Sequence, residues 1–484
     1  ICGDSIDNDC DGVTDYATSI PTDHATIQEA INSASEGDGF CIEAGTYYEN
    51  LYFNGVSVTL AGYGAGDTVL DGSGSQLLYV YGGEEVTLRG VSIQNAYGNY
   101  GGVFDIEYSS FTLQDSELSD VGCGETSYCY GGVLYSYDAD VTFEGVEIDG
   151  VYGYTTSSLY GAVFRFDNSD VSMTDVTVTD VVSESSLYDS MYAGFLYNYN
   201  SDVTLDNVEF SDSWFDSGYS IYGAAVYNYD GSIEAEGLSI VDNTFEASNY
   251  QYSDISYGLW YAGGGANTTL SNSLIQGNEL WAADDVGGLL YLSSAGSMDI
   301  SNTLITDNTI GTTQGASGNQ GYGLFYIYNS DVTLTNSDVT NNTWDGFDYL
   351  YGVLGYRSYL GNLTVLNSNV VGNVDTEGVA YAGLLYSPYA NTDGYGEFSW
   401  SYSNHYDNWD TWSYGYDWYD GGSDGDFTSF EGVITDDPLY TDAANGDYTL
   451  ATGSPAIDAG TTELLDTDGT TSDIGAYGGP DASL

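Results

Sequence analysis

Lysine is absent from this chain, and arginine occurs only at Arg89, Arg165 and Arg357, against 73 acidic residues and a formal charge of −70. Nucleic-acid binding draws most of its affinity from Lys and Arg that neutralise phosphates, so DNA, RNA and anionic membrane surfaces are excluded as partners. Cations are the natural counter-ions. At physiological ionic strength charges are screened over about 8 Å, so crowded carboxylates repel unless salt or bound divalent ions intervene; a salty habitat is the alternative source of the acidity. No apolar run reaches the roughly 18 residues of a membrane helix. Histidine is limited to His24 and His405, neither of which has neighbours that make a metal or nucleophile constellation. Cysteine is scarce too. Cys2 and Cys10 are close in sequence, as are Cys123 and Cys129, which suits two local disulfides in an oxidising compartment. Cys41 is left as a buried thiol or as a substitute for one member of the first pair. The opening Ile1, in place of methionine, is read as the trace of a removed leader, so a secreted protein is expected.

What is abundant is repetition. A strand of the form Val-Thr-Leu recurs at Val86-Thr87-Leu88, Phe111-Thr112-Leu113, Val141-Thr142-Phe143, Val171-Ser172-Met173 and Val203-Thr204-Leu205, and onward to Val332-Thr333-Leu334 and Leu363-Thr364-Val365. The spacing runs mostly near 30 residues, the self-similarity of a solenoid. Period-two alternation of β-branched and aromatic residues excludes a helical array. Two residues after each anchor stands Asp115, Gly145, Asp175, Asn207, Gly237, Asn272, Asn302, Asn336 or Asn367, all types that tolerate a left-handed backbone. A corner at one place in every coil is what a parallel β-helix requires. A third column pairs Ile or Val with Asn three positions on, at Asn243, Asn278, Asn308, Asn342 and Asn373, and stacked amides of this kind can bond one another along the axis.

Each coil also carries a strand such as Tyr130-Gly131-Gly132-Val133-Leu134-Tyr135. Leu134, Phe164, Leu196, Val226, Trp260, Leu290, Phe325, Leu354 and Leu385 form one apolar column. Val133, Val163, Phe195, Ala225, Leu259, Leu289, Leu324, Val353 and Leu384 form another. The second is expected to face outward and to need cover from loops or from another copy of the chain. Arg165 replaces a tyrosine in the series Tyr135, Arg165, Tyr197, Tyr227, a cation–π position; a role as a lyase base beside Asp167 and Asp170 is the competing reading. Arg357 aligns with Tyr137, Tyr199, Tyr229 and Tyr328.

Near the start, Asp7, Asp9, Asp11, the Val13 carbonyl and Asp15 occupy positions one, three, five, seven and nine of a calcium loop with Gly12 at six. Thr18 stands where the bidentate glutamate belongs. The stretch Asp7-Asn8-Asp9-Cys10-Asp11-Gly12 resembles the cysteine-bracketed metal-binding repeats of bacterial surface proteins. Thr26 to Ala34, followed by Gly37-Asp38-Gly39 and Ala44 to Asn50, is similar to the opening of the pectate-lyase-like right-handed β-helix superfamily, in which a short amphipathic helix plugs the open coil. Asp437-Pro438-Leu439-Tyr440, Gly446 to Leu450, Ser454 to Gly460 and Asp473 to Tyr477 are similar to the closing segment of extracellular β-helix proteins related to polymorphic outer-membrane proteins. Members of that superfamily include lyases, hydrolases and adhesins, so the resemblance implies a fold more than an activity.

The expected fold is therefore all-β, a right-handed parallel β-helix of about a dozen coils with a short N-terminal capping helix. Residues 1–18 form the acidic Cys-bracketed calcium motif, 19–50 the N-terminal cap, 51–400 the coils, 401–436 an acidic insertion rich in aromatics (Trp409, Trp412, Trp418) and 437–484 the C-terminal cap. Asp466, Asp468 and Asp473 around Gly469 are read as a solvated turn before a second cation site. The expected function is a secreted bacterial surface or fibre component, structural or adhesive and without enzymatic activity, bound to Ca2+ and self-associating head-to-tail or laterally. No catalytic residue is assigned. A polysaccharide-binding or polysaccharide-degrading protein is the alternative, with a glycan as partner.

Overall fold

The structure is a computed structural model that describes residues 18–53, 55–186, 188–247, 252–313, 318–358, 360–380, 384–387, 398–408, 418–420, 423–425 and 430–483. The calcium-motif residues Asp7, Asp9, Asp11, Val13 and Asp15 lie outside them, as do Trp409 and Trp412. The chain divides after Phe215 into two compact units. Each is all-β and built from stacked parallel strands, with very little helix.

In the first unit the expected capping helix spans Ile27–Ser33. The Thr26 hydroxyl accepts the Glu29 N–H at 3.0 Å and the Glu29 carboxylate accepts the Ala25 N–H at 2.9 Å, a reciprocal cap that satisfies donors the helix cannot use. Ile27, Ala30 and Ile31 are buried on its inner face. Cys123 and Cys129 form a disulfide. Cys41 is buried and disulfide-bonded, which removes the buried-thiol reading; its partner lies outside the described residues.

One coil shows why the repeat folds as it does. The two-residue strand Cys129–Tyr130 is followed by a corner, the four-residue strand Leu134–Tyr137, and the long strand Asp140–Thr155. The long strand bends twice, at Gly145 (φ 62°) and Gly150 (φ 84°). It pairs in parallel with Ser110–Thr126 on one side and Asp170–Ser185 on the other, so Phe111, Val141 and Val171 stack rung by rung. All nine residues of the corner column have left-handed φ values, from 45° at Asn336 to 67° at Gly237.

In the second unit the asparagine column is a continuous buried ladder. Asn243 donates to the Asn278 side-chain oxygen at 3.1 Å, Asn278 to Asn308 at 2.9 Å, Asn308 to Asn342 at 2.9 Å and Asn342 to Asn373 at 3.0 Å. The amides of Asn278, Asn308, Asn342 and Asn373 also donate to a main-chain carbonyl one coil away, as Asn308 does to Ile275 at 2.9 Å. The C-terminal segment runs back along this unit and meets the corner column. The Asn302 amide donates to the carbonyls of Ala476 and Gly478, and Asn367 accepts the Thr461 N–H. Fully buried Asp338 accepts from the Ala476 N–H, the Asn369 amide and the Tyr440 hydroxyl. Asp466 and Asp473 accept main-chain N–H groups of Asp473, Gly479 and Asp458, which makes that acidic cluster a hydrogen-bonded turn.

Two expectations are corrected here. The second apolar column does not face outward: Val133, Val163, Phe195, Leu259, Leu289, Leu324 and Val353 are all buried. The chain turns at Gly131 (φ 68°) and Gly161 (φ 70°) just before each strand, so alternation does not hold across the corner and consecutive residues both point inward. The apolar surface that motivated self-association is thus covered within the chain. In the second unit Phe325 pairs with Gly355 and not Leu354, and Arg357 pairs with Ile327 and not Tyr328. This one-residue slip moves Arg357 out of the aromatic column in which alignment had placed it.

Candidate functional site

Because residues 104, 106, 134, 136, 164 and 166 of the four-residue strands point inward and are buried, their neighbours face outward in two columns. Rung by rung the first reads Tyr52, Tyr79, Asp105, Tyr135, Arg165, Tyr197, and the second Tyr81, Glu107, Tyr137, Asp167, Tyr199. Adjacent rungs lie about 4.8 Å apart. Four charged residues therefore interrupt an otherwise aromatic face. Tyr52, Tyr81, Tyr108 and Tyr199 remain exposed around them, with the Tyr81, Tyr108 and Tyr137 rings in edge contact at 5.7 and 5.3 Å.

Arg165 holds the centre. Its guanidinium carbon lies 4.4 Å from the Tyr130 ring centre, 5.1 Å from Tyr160, 5.0 Å from Tyr197 and 5.7 Å from Tyr135. Its Nε and Nη2 both donate to Asp167 Oδ2, at 3.1 and 2.9 Å. The cation–π placement read from the sequence is realised. Of the two carboxylates in the lyase reading, Asp167 is bonded by the guanidinium, while Asp170 opens the following strand and is exposed.

Three buried atoms of this patch lack a hydrogen-bond partner among the described residues: Arg165 Nη1, Asp167 Oδ1 and Asp105 Oδ1. Leaving buried ionisable groups without a partner is costly, and perturbed ionisable groups cluster at functional sites. Burial pushes the Asp105 carboxyl up to about 7; the charge of Glu107 adds to the rise, and the nearby Gln76 amide opposes it. Burial also raises Glu107. Asp167 is raised by burial against the pull of the Arg165 guanidinium and the Tyr135 hydroxyl. Burial lifts the Tyr135 phenol well above its ordinary range and Tyr197 to about 12, so neither phenol is a base near neutral pH. What the patch offers is a carboxylic acid that titrates near neutrality, a second carboxyl on the same strand face, and a fixed cation. Among the described residues no three His, Cys, Asp or Glu side chains converge as a metal centre.

Asp105 and Glu107 were not singled out from the sequence. The signal was present, since Asp105 replaces tyrosine in the column that drew attention to Arg165 and Glu107 replaces one in the column that drew attention to Arg357. Abundance of acidic residues hid them: one carboxylate among 73 carries no weight until its burial is known.

The family model described as "right handed beta helix region" matches residues 54–279 and 179–392. No curated protein matches the sequence. Among solved structures, the chain is similar to alginate lyase AlyF-OU02 in complex with G6 (12% identity, 94% of this chain and 92% of that one, TM-score 0.38). It is also similar to pectate lyase Pel9A (14%, 96% and 95%, 0.36) and to the catalytic domain of a GH87 α-1,3-glucanase with nigerose (12%, 80% and 68%, 0.36). The expectation of a non-enzymatic structural or fibre component finds no support here: the similar structures named are two polysaccharide lyases and a glucanase, and the polysaccharide-active alternative is taken up below. At such identities the likeness itself describes the fold alone. The repeat, the rung-by-rung register and the family match agree: the chain belongs to the right-handed β-helix family.

Proposed function

We propose that the tyrosine-lined face of the first unit binds and hydrolyses a neutral polysaccharide outside the cell. The observation that carries this reading is the trio of buried polar atoms on Asp105, Arg165 and Asp167 without a hydrogen-bond partner among the described residues, set in a face of exposed aromatic rings. Sugar rings stack on such faces, and glycosidic cleavage needs one protonated and one ionised carboxyl. Asp105, held protonated to about 7, donates its proton to the glycosidic oxygen as the bond to the anomeric carbon breaks. Glu107 takes a proton from the water that attacks that carbon. Two positions apart on one strand, their Cα atoms are separated by about 7 Å, a distance from which side chains can reach the span of about 6.5–9.5 Å that an acid and a water-activating base use. The Arg165–Asp167 pair supplies a fixed cation beside this acid face.

A neutral substrate is favoured over an anionic one because a charge of −70 repels acidic glycans, and because the guanidinium is already engaged by Asp167 and four rings. Secretion accords with this reading, and no described helix is long and apolar enough to cross a membrane. Calcium at Asp7, Asp9, Asp11, Val13 and Asp15 belongs to the same proposal, supported by their spacing in the sequence.

The test is incubation with a panel of neutral and acidic polysaccharides, following reducing ends and unsaturated ends separately. Reducing ends without unsaturation, from a neutral glycan only, is the expected result. Unsaturated ends from an acidic glycan would show a lyase, and no product from any glycan would sink the enzymatic reading. A chelator in a parallel thermal melt is expected to lower the midpoint, with recovery on adding calcium; an unchanged midpoint would remove the metal.

A further inference from the structure

A second aromatic feature lies on different strands. At the end of the long strands of the first unit, Tyr97, Gly122 and Tyr152 occupy one register position on three successive rungs. The inward position beside them is filled by Ala96, Val121 and Val151, all buried, so this column faces outward. Elsewhere in the unit an unbroken column of tyrosines stacks ring on ring, at 5.2 Å for Tyr130 and Tyr160 and 4.7 Å for Tyr160 and Tyr192. With glycine on the middle rung, Tyr97 and Tyr152 stand two rungs apart, about 9.6 Å along the axis. The Tyr97 ring lies against Gly124 of the middle rung.

The gap is a built one. The pairing shifts between Gly122 and Gly124, leaving Cys123 as an inserted residue, and the Cys123–Cys129 disulfide ties this bulge to the next strand. Beside it lies a cleft of about 470 Å³ lined by Tyr97, Asn99, Cys123, Glu125 and Tyr152 together with Gly74, Gly98 and Gly124, within the size range of small-molecule sites. Tyr152 is 42% exposed at its mouth. The Tyr97 hydroxyl donates to Asp120, and the Asn99 and Glu125 side chains add hydrogen-bonding capacity at the rim. Two aromatic faces with a rim of acceptors suit a ring that is apolar on its faces and hydroxylated at its edge. Acidic Asp120 and Glu125 disfavour an anion.

We propose that this slot is a binding site for one uncharged pyranose unit of a neutral glycan, sandwiched between Tyr97 and Tyr152 and separate from the Asp105 face. It would hold a chain that the other face cuts, but it does not depend on cutting.

The test places a reporter in the slot. Tyr152→Trp is titrated with cellohexaose, laminarihexaose and mannohexaose, and emission is compared with the parent protein, whose slot lacks the indole. A saturable shift particular to the variant is expected with at least one probe. Adding Tyr97→Leu, which keeps bulk but removes the stacking face, is expected to weaken that binding about tenfold. No saturable shift from any probe at millimolar concentration, or a shift untouched by Tyr97→Leu, overturns the proposal. Because the reporter reads binding in this slot, its failure is distinguishable from a failure of hydrolysis at Asp105.

Discussion

Replacing Asp105 with asparagine is expected to lower kcat/KM on the neutral glycan by about 10³-fold, the middle of the range for a positioned general acid, while leaving the protein at least as stable. The two halves of this result have one cause. Burial favours the neutral carboxyl, so between its ordinary value of 3.8 and about 7 the folded chain binds a proton that the unfolded chain has released. Stability contributed by this group is therefore present at low pH and falls as pH rises through that window. Asparagine cannot ionise and escapes the loss. At pH 8 the thermal midpoint of Asp105→Asn should match or exceed that of the parent protein. A variant that loses both activity and stability would mean that Asp105 holds the fold together and does not supply a proton.

Asn308→Ala is expected to cost about 4 kcal/mol of stability, since it orphans several buried groups at roughly 1–3 kcal/mol each. The side-chain oxygen of Asn308 accepts the Asn278 N–H at 3.0 Å and the Asn278 amide at 2.9 Å, and its own amide donates to Ile275, Thr306 and Asn342. No water can replace these bonds without entering a site that is fully buried. Asn207→Gly, at an exposed corner with φ 54°, supplies the contrast: glycine accepts the same backbone conformation, and the change should stay within about 0.5 kcal/mol. Urea unfolding of both variants checks the pair. Equal small losses would mean that the ladder follows from the stacking of strands and does not support it.

The coil architecture was readable in the sequence because its determinants are local and repeated. The nine-member corner column and the five-member asparagine ladder each depend on one residue type at one offset, and both are found as expected. The helix Ile27–Ser33 carries its own cap and apolar stripe. Errors arose where periodicity breaks. Val133 and Leu134 both point inward because a corner separates them, and Gly355 takes the place of Leu354 because the pairing slips by one residue. The site was the least legible part. What distinguishes Asp105 from dozens of similar residues is burial in an aromatic column, a property of neighbours 24 to 32 positions away that no local pattern encodes. The Tyr97–Gly122–Tyr152 slot needed the register and the bulge at Cys123 before its gap could be seen.

The most direct measurement is the pH dependence of kcat/KM on the neutral glycan that the panel identifies. If Asp105 delivers the proton, the rate falls tenfold per pH unit above about 7, where its carboxyl ionises, and the Asp105→Asn variant shows no such limb in its residual rate. A rate that stays level above that point, or climbs with pH, would contradict the assignment of Asp105 as the acid and the hydrolytic function built on it.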